Sequence, residues 1–265
     1  MADHTVDYNS AELDKTPYFM DLISFDKPYL AGSRRSRIGR GARDGAVSSG
    51  GALDSGTFRI RLSTYAASAA ALLARLDALQ VLMNIGGEET LVCSLFPGRF
   101  WNVETDGIWD LEMLGDRGAE LTLQFVSPKP AAYSTSETVK EYVITTDPDT
   151  FVVPAVDLEN ASALVYPEYK ILATSGAPSG IILENTTRQE VLTWDSVLTA
   201  TWWFKVDADL MTIEKANADA WPGTNALAGK SGVYPALTPR IANTIKVTGI
   251  ETGTMDVTFR ERYLT

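Results

Sequence analysis

Hydrophobic and polar positions along this chain alternate in short runs, and a period of two marks strands that bury one face. From Thr57 the alternation is regular: Phe58, Ile60 and Leu62 share one face, and Thr57, Arg59 and Arg61 the other. That predicts a half-buried strand. One stretch breaks the rule. Between Ser68 and Met83, Leu72, Leu76, Leu79 and Met83 recur at spacings of four, three and four, the stripe of an amphipathic helix. Leu73 and Leu82 broaden the stripe, Ser68 is placed to cap the helix, and Gly86-Gly87 to stop it.

Aromatics at Tyr8, Tyr18, Phe19, Phe25 and Tyr29 suit short edge strands in residues 1–30. After the helix, Leu91, Cys93 and Leu95 alternate with Val92, Ser94 and Phe96, another strand starts at Trp101 and Val103, and Leu121, Leu123 and Phe125 mark a further one. The periodicity then fails in SPKPAAYSTSETVKE, which predicts a linker or crossover near 127–140. Strands follow in series: Glu141–Thr145, Phe151–Leu158, Glu168–Thr174, Gly180–Glu184, Glu190–Thr193, Thr199–Val206, Leu210–Glu214, Asn243–Thr248 and Thr254–Leu264. In the last, Met255, Val257, Phe259 and Tyr263 oppose Asp256, Thr258, Arg260 and Arg262. Short strands with turns between them indicate sandwiches or barrels. Residues 215–240, rich in Gly and Pro, are predicted as a long loop and a candidate interaction surface. The fold class is therefore mainly all-β. The expected N-terminal domain, residues 1–135, carries the helix; the expected C-terminal domain, residues 136–265, is a β-sandwich.

Composition narrows the chemistry. The 265 residues are 45% hydrophobic and 22% charged, which suits a globular chain. There is one Cys, Cys93, and one His, His4. These counts exclude an intrachain disulfide and a zinc site built from Cys and His, and leave any His-dependent nucleophile only the N-terminal His4. No metal, cofactor or catalytic set is expected. The N-terminus is polar and acidic, without the apolar core of a secretory leader. The apolar stretch at Ala66–Met83 is interrupted by Ser68, Arg75, Asp77 and Gln80, too polar for a membrane span.

Net charge is −11, but unevenly spread. Residues 31–45 carry Arg34, Arg35, Arg37, Arg40 and Arg43 against one Asp, a local +4 that leaves −15 for the rest. Gly and Ser surround these arginines, which predicts a long mobile loop. No stacking aromatic lies within the run, so pairing with acidic surface on a neighbouring subunit is favoured over nucleic-acid binding. Asp147 with Asp149, and Asp207 with Asp209, are close carboxylate pairs that raise calcium or glycosidase chemistry. Neither matches a complete calcium loop, and both sit where turns are expected. Trp203 lies opposite Trp202 and Phe204 on its strand, and Trp221 lies in a WPG loop. With Tyr234 they form a candidate outward contact surface for a protein or a sugar. Cys93 is expected as a buried, inert thiol.

The order of these features resembles a known family, the distal tail proteins of long-tailed (siphovirus-type) bacteriophages. The resemblance is carried by GRGARDGAVSSGGALDSG leading into TFRIRL, by AASAAALLARLDALQVLMN running through LVCSLFPGRFWNVETDG to LTLQFVSPKPAAY, and by YKILATSG, GIILENTTRQEVLTW, WFKVDADLMTIE, GVYPALTPRIANTIKVTG and TMDVTFRERYL. One departure stands out. The family often has Gly just before the Asn of the stretch matching Leu237–Asn243, where this chain has Pro239, Arg240, Ile241 and Ala242. The resemblance implies a tail-tube-like N-terminal β-sandwich that forms a six-fold ring joining the tail tube protein to the tail hub. DNA, and a tape-measure protein, would pass through its lumen. It also implies an outward galectin-like C-terminal sandwich on which a receptor-binding protein docks. Acidic residues such as Glu104, Asp106, Asp116 and Glu120 are expected on exposed N-domain surfaces, and no His beyond position 4 is present for a galectin-type sugar site. The expected function is thus a structural virion protein at the tail tip, assembled in the bacterial cytoplasm and not an enzyme. The alternatives are a carbohydrate-binding module on Trp203, Trp221 and Tyr234, and a carboxylate glycosidase on the Asp pairs.

Overall fold

The computed structural model describes residues 4–27, 33–39, 46–53, 55–129, 131–175, 178–199, 201–217 and 223–264, with backbone alone at 33–39, 46–53, 107–109 and 179. The chain divides into two compact units, one running to Thr135 and also taking Leu264, the other spanning Ser136–Tyr263. No helix among the described residues is long and apolar enough to cross a membrane.

The first unit contains β1 (Val6–Tyr8), β2 (Ala11–Glu12), β3 (Asp21–Asp26), β4 (Ser33–Gly39), β5 (Ala46–Leu53), β6 (Gly56–Tyr65), α1 (Ala69–Met83), β7 (Glu89–Cys93), β8 (Arg99–Leu114), β9 (Gly118–Ser127) and β10 (Ala131–Ser134). The main path runs β2-β1-β7-β8-β9-β6-β3, with β10 also on β8. Strand β8 belongs to two sheets. Its first residues pair with β7 through Phe100–Val103, its later ones with β9, and the register shifts between Thr105 and Trp109. This break lets one strand turn from one sheet into the other. The inward residues are those the alternation predicts: Phe58, Ile60 and Leu62 from β6, Leu121, Leu123 and Phe125 from β9, all at most 2% exposed. Trp101 lies 5.6 Å from each of the Phe25, Phe58 and Phe96 rings, and Tyr8 lies 5.1 Å from Phe125, closing the core between the two sheets. Cys93 is fully buried there, and burial pushes its thiol pKa up.

Helix α1 begins where Ser68 accepts a hydrogen bond from the Ala71 amide at 3.2 Å. Leu72, Leu76, Leu79, Leu82 and Met83 face inward. Leu73 does not; it is 56% exposed, because the covering surface is narrower than the apolar arc. Arg75 fixes the helix over β6 by donating to Thr64 Oγ1 (3.0 Å) and the Tyr65 carbonyl (2.9 Å). Thr105 Oγ1 donates to the Met83 carbonyl at its far end (3.0 Å).

Two expectations fail here. The arginine-rich stretch is not simply a loop: β4 and β5 pair antiparallel, Arg34 opposite Ala52 and Arg37 opposite Ser48, into a two-stranded ribbon. Gly and Ser lower strand propensity without preventing ladder hydrogen bonds. The expected linker near 127–140 contains β10, whose Ala131, Ala132 and Tyr133 are buried.

The second unit contains β11 (Thr138–Ile144), β12 (Asp149–Val153), a 3-10 turn (Ala155–Leu158), β13 (Glu168–Ala173), β14 (Ser179–Asn185), β15 (Glu190–Val197), β16 (Trp202–Asp207), β17 (Thr212–Asn217), β18 (Thr224–Asn225), β19 (Lys230–Gly232), β20 (Asn243–Thr248), β21 (Gly253–Phe259) and β22 (Arg262–Leu264). Two antiparallel sheets, β11-β21-β13-β16-β17-β18 and β12-β20-β14-β15-β19, enclose one core. Trp194 and Phe204 meet across it with ring centroids 4.7 Å apart and planes tilted by 34°, with Tyr169, Ile171, Val206, Ile245, Val247, Met255 and Val257 around them. The predicted loop at 215–240 is largely structured among its described residues. Strands β18 and β19 lie within it, and Ala226, Ala236 and Leu237 are buried. The reason is apolar content plus anchoring: Trp194 Nε1 donates to the Ala226 carbonyl at 2.8 Å.

A buried amide pair ties down the segment before β20. Asn243 donates to the Thr238 and Ile241 carbonyls (2.9 and 3.0 Å) and accepts from the Thr238 amide (2.8 Å) and Asn185 Nδ2 (3.2 Å). In the turn before Asn243, Arg240 adopts φ +62° without a glycine.

Candidate assembly surfaces

Strands β3, β6, β9 and β8 form a sheet whose outward face follows from register. Asp26 pairs with Arg59, Ser24 with Arg61 and Asp21 with Ser63; Gln124, Thr122 and Glu120 continue the rows into β9, and Asp110 and Glu112 into β8. Glu104, opposite Val126, and Asp106, which accepts from Gln124 Nε2 at 2.5 Å, lie on the same face. Seven carboxylates, Asp21, Asp26, Glu104, Asp106, Asp110, Glu112 and Glu120, thus meet two guanidinium groups, Arg59 and Arg61. Arg61 is ion-paired with Glu120. Around that pair, Asp110, Glu112 and Thr122 complete a shallow polar groove of about 250 Å³. Glu104, Asp106 and Asp116 are exposed as expected; Glu120 is half-buried by its arginine.

The opposite face of this sheet is unfinished at β8. On β9, Ala119, Leu121 and Leu123 are buried, but their β8 neighbours Leu111 and Met113 are 49% and 48% exposed. The outer edge of β8 beyond Val103 has no partner strand among the described residues, and neither does that of β3. Free edges beside exposed apolar side chains are what further strand pairing uses.

Among the described residues, strands β4 and β5 pair with each other and with no third strand. A lone two-stranded ribbon is marginal in water and gains stability by lying on something. Arg34, Arg35 and Arg37 lie on β4. Arg40 and Arg43 fall outside the described residues, as does Trp221.

In the second unit, Trp203 is on the outward face of β16, where the sequence places it, but is half-buried. Lys170 Nζ sits 4.2 Å from its ring centroid. Trp202 packs against the core. Tyr234, expected outward, is 8% exposed: its hydroxyl donates to the Met211 carbonyl at 2.6 Å and Lys230 Nζ covers its ring at 4.2 Å. The Asp pairs build turns. Asp147 accepts from the Gly249 amide (2.8 Å). Asp149 accepts from the Thr145 amide (2.9 Å), and this bond, with others from neighbouring amides, holds its pKa below the usual carboxylate range. Asp207 accepts from the Asp209 and Leu210 amides (3.0 and 2.9 Å). Among the described residues, no three His, Cys, Asp or Glu side chains are grouped to hold a metal. The sequence reading missed the second half of β8, although Leu111 and Met113 alternate with Asp110 and Glu112 there. The turn expected at Asp207 and Asp209 does join β16 to β17, but it extends through Leu210 and Met211, which the alternation assigned to the next strand.

No family model and no curated protein matches the sequence. Among solved structures, the chain is similar to the distal tail protein Dit of phage SPP1, described as a paradigm of the hub adsorption apparatus of phages infecting Gram-positive bacteria. The TM-score is 0.71 at 16% identity, over 98% of this chain and 99% of that one. Two structures of the phage P2 baseplate in its activated conformation, with Ca and with Sr, align at TM-score 0.47 and 7% identity, over 96% of this chain and 97% of theirs. At such identities the likeness to Dit is one of fold, extending across both units. It is the all-β fold that the resemblance in the sequence implied.

Proposed function

We propose that this chain is a structural protein of a phage virion, forming a ring at the distal end of a long tail between the tail tube and the tail hub. The observation that carries this reading is the end-to-end match to the Dit fold, which leaves neither unit unaccounted for. The first unit supports it physically. A subunit with two free sheet edges, β8 and β3, joins its copies head to tail, and such heterologous contacts close into rings when the rotation allows; six copies are expected here. Leu111 and Met113 would be covered in that contact. The arginine-rich segment, with Arg34, Arg35 and Arg37 on β4 and with Arg40 and Arg43 beyond the described residues, would reach acidic surface on the neighbouring copy. The carboxylate-rich sheet face would line the lumen, where like charge lets DNA pass without adhering. The tube protein, the hub protein and a receptor-binding protein are the partners this reading assigns, with a tape-measure protein passing inside. Its place is the tail tip, after assembly in the host cytoplasm, and it performs no catalysis. In support of that last point, Asp149 and Asp207 accept main-chain hydrogen bonds within their own turns, and Asp147 accepts the amide of Gly249.

Size-exclusion chromatography with light scattering, followed by negative-stain microscopy, tests the proposal. Rings are expected, and Leu111→Lys with Met113→Lys should return them to monomers. A strict monomer at high concentration, together with absence from purified virions, overturns it.

A further inference from the structure

We draw no further inference here: the strongest candidate, the outward apolar face of helix α1 with Leu73 and Val81 exposed, carries nothing because nothing in the structure shows what covers it.

Discussion

Replacing Asn243 by Ala removes the centre of the polar clasp in the second unit. The Asn243 side chain is fully buried and makes four hydrogen bonds, two as donor and two as acceptor. Of the groups left behind, Asn185 is also fully buried and keeps the Ala236 carbonyl as its other partner at 2.5 Å, while Thr238 and Ile241 lie closer to solvent. A buried polar group stripped of its partner costs about 1–3 kcal/mol. Counting one such loss in full and the solvent-near ones in small part gives about 2–4 kcal/mol. For a unit of this size that corresponds to a fall in Tm of about 8–15 °C. The assay is thermal and urea unfolding of the full chain, followed by far-ultraviolet circular dichroism so that both units are seen. The transition of the second unit should move and that of the first should stay. Asn243→Asp should be worse than Asn243→Ala at neutral pH, because it loses both donated bonds and buries a charge. A loss below about 1 kcal/mol for Asn243→Ala, or an aspartate variant more stable than the alanine one, would refute the reasoning.

Three further outcomes follow from single sites. Leu72→Ala empties a fully buried position beneath α1 and should cost about 2–5 kcal/mol, read from urea unfolding of the first unit. Glu190 accepts from Arg188 at 2.6 Å and from the Ala236 amide at 2.9 Å. Burial raises its pKa, but these bonds and the Arg188 charge outweigh burial and leave it below the ordinary 4.5. Its stabilisation is therefore present above that ordinary value and lost as pH falls through the lowered one. Glu190→Gln should destabilise by about 1–2 kcal/mol at neutral pH, with the gap to the parent closing in acid; a gap independent of pH argues against the charge. Met211→Asn should raise stability by about 0.5–1 kcal/mol by relieving the left-handed backbone, measured as Tm; a fall would show that the methionine supports the fold.

Legibility in the sequence followed the hydrophobic period. Strands β6, β9 and β21 bury the residues their alternation names, β20 runs from Asn243 to Thr248 as read, and α1 starts at its Ser68 cap. Where pairing rather than burial makes the strand, the pattern is silent. The Gly and Ser of β4 and β5 carry no apolar alternation, so only the ladder between them reveals the ribbon. Strand β10 and the segment around Ala236 bury small residues without a period. The edge half of β8 does alternate, but Leu111 and Met113 are about half exposed among the described residues, and a pattern says which side chains share a face, not what covers it. The left-handed backbone at Arg240 and Met211 was illegible for another reason: both adopt positive φ without the glycine that would advertise it.

The net charge of −11 takes on meaning from its distribution. Salt screens charges beyond about 8–10 Å, so carboxylates scattered over a surface hardly interact, whereas those on adjacent strands about 5 Å apart do. Seven on one sheet face against two arginines is an arrangement that costs a lone subunit stability through self-repulsion, and Arg61 relieves only Glu120 directly. Solubility alone requires no such concentration, because the same residues spread over both units would serve it equally. A face that must stay close to a polyanion without holding it does require it. In the proposed ring the repulsion between copies would grow as the lumen closes, and the contacts of β8, β3 and the arginine-bearing ribbon would have to exceed it. The two electrostatic contributions respond to salt with opposite sign: screening relieves the lumen and weakens the ribbon. Assembly measured against ionic strength should therefore pass through a maximum. Changing Asp110 and Glu112 to Asn and Gln should shift that maximum towards lower salt, and a monotonic curve unaffected by these changes would show that this face is not turned inward.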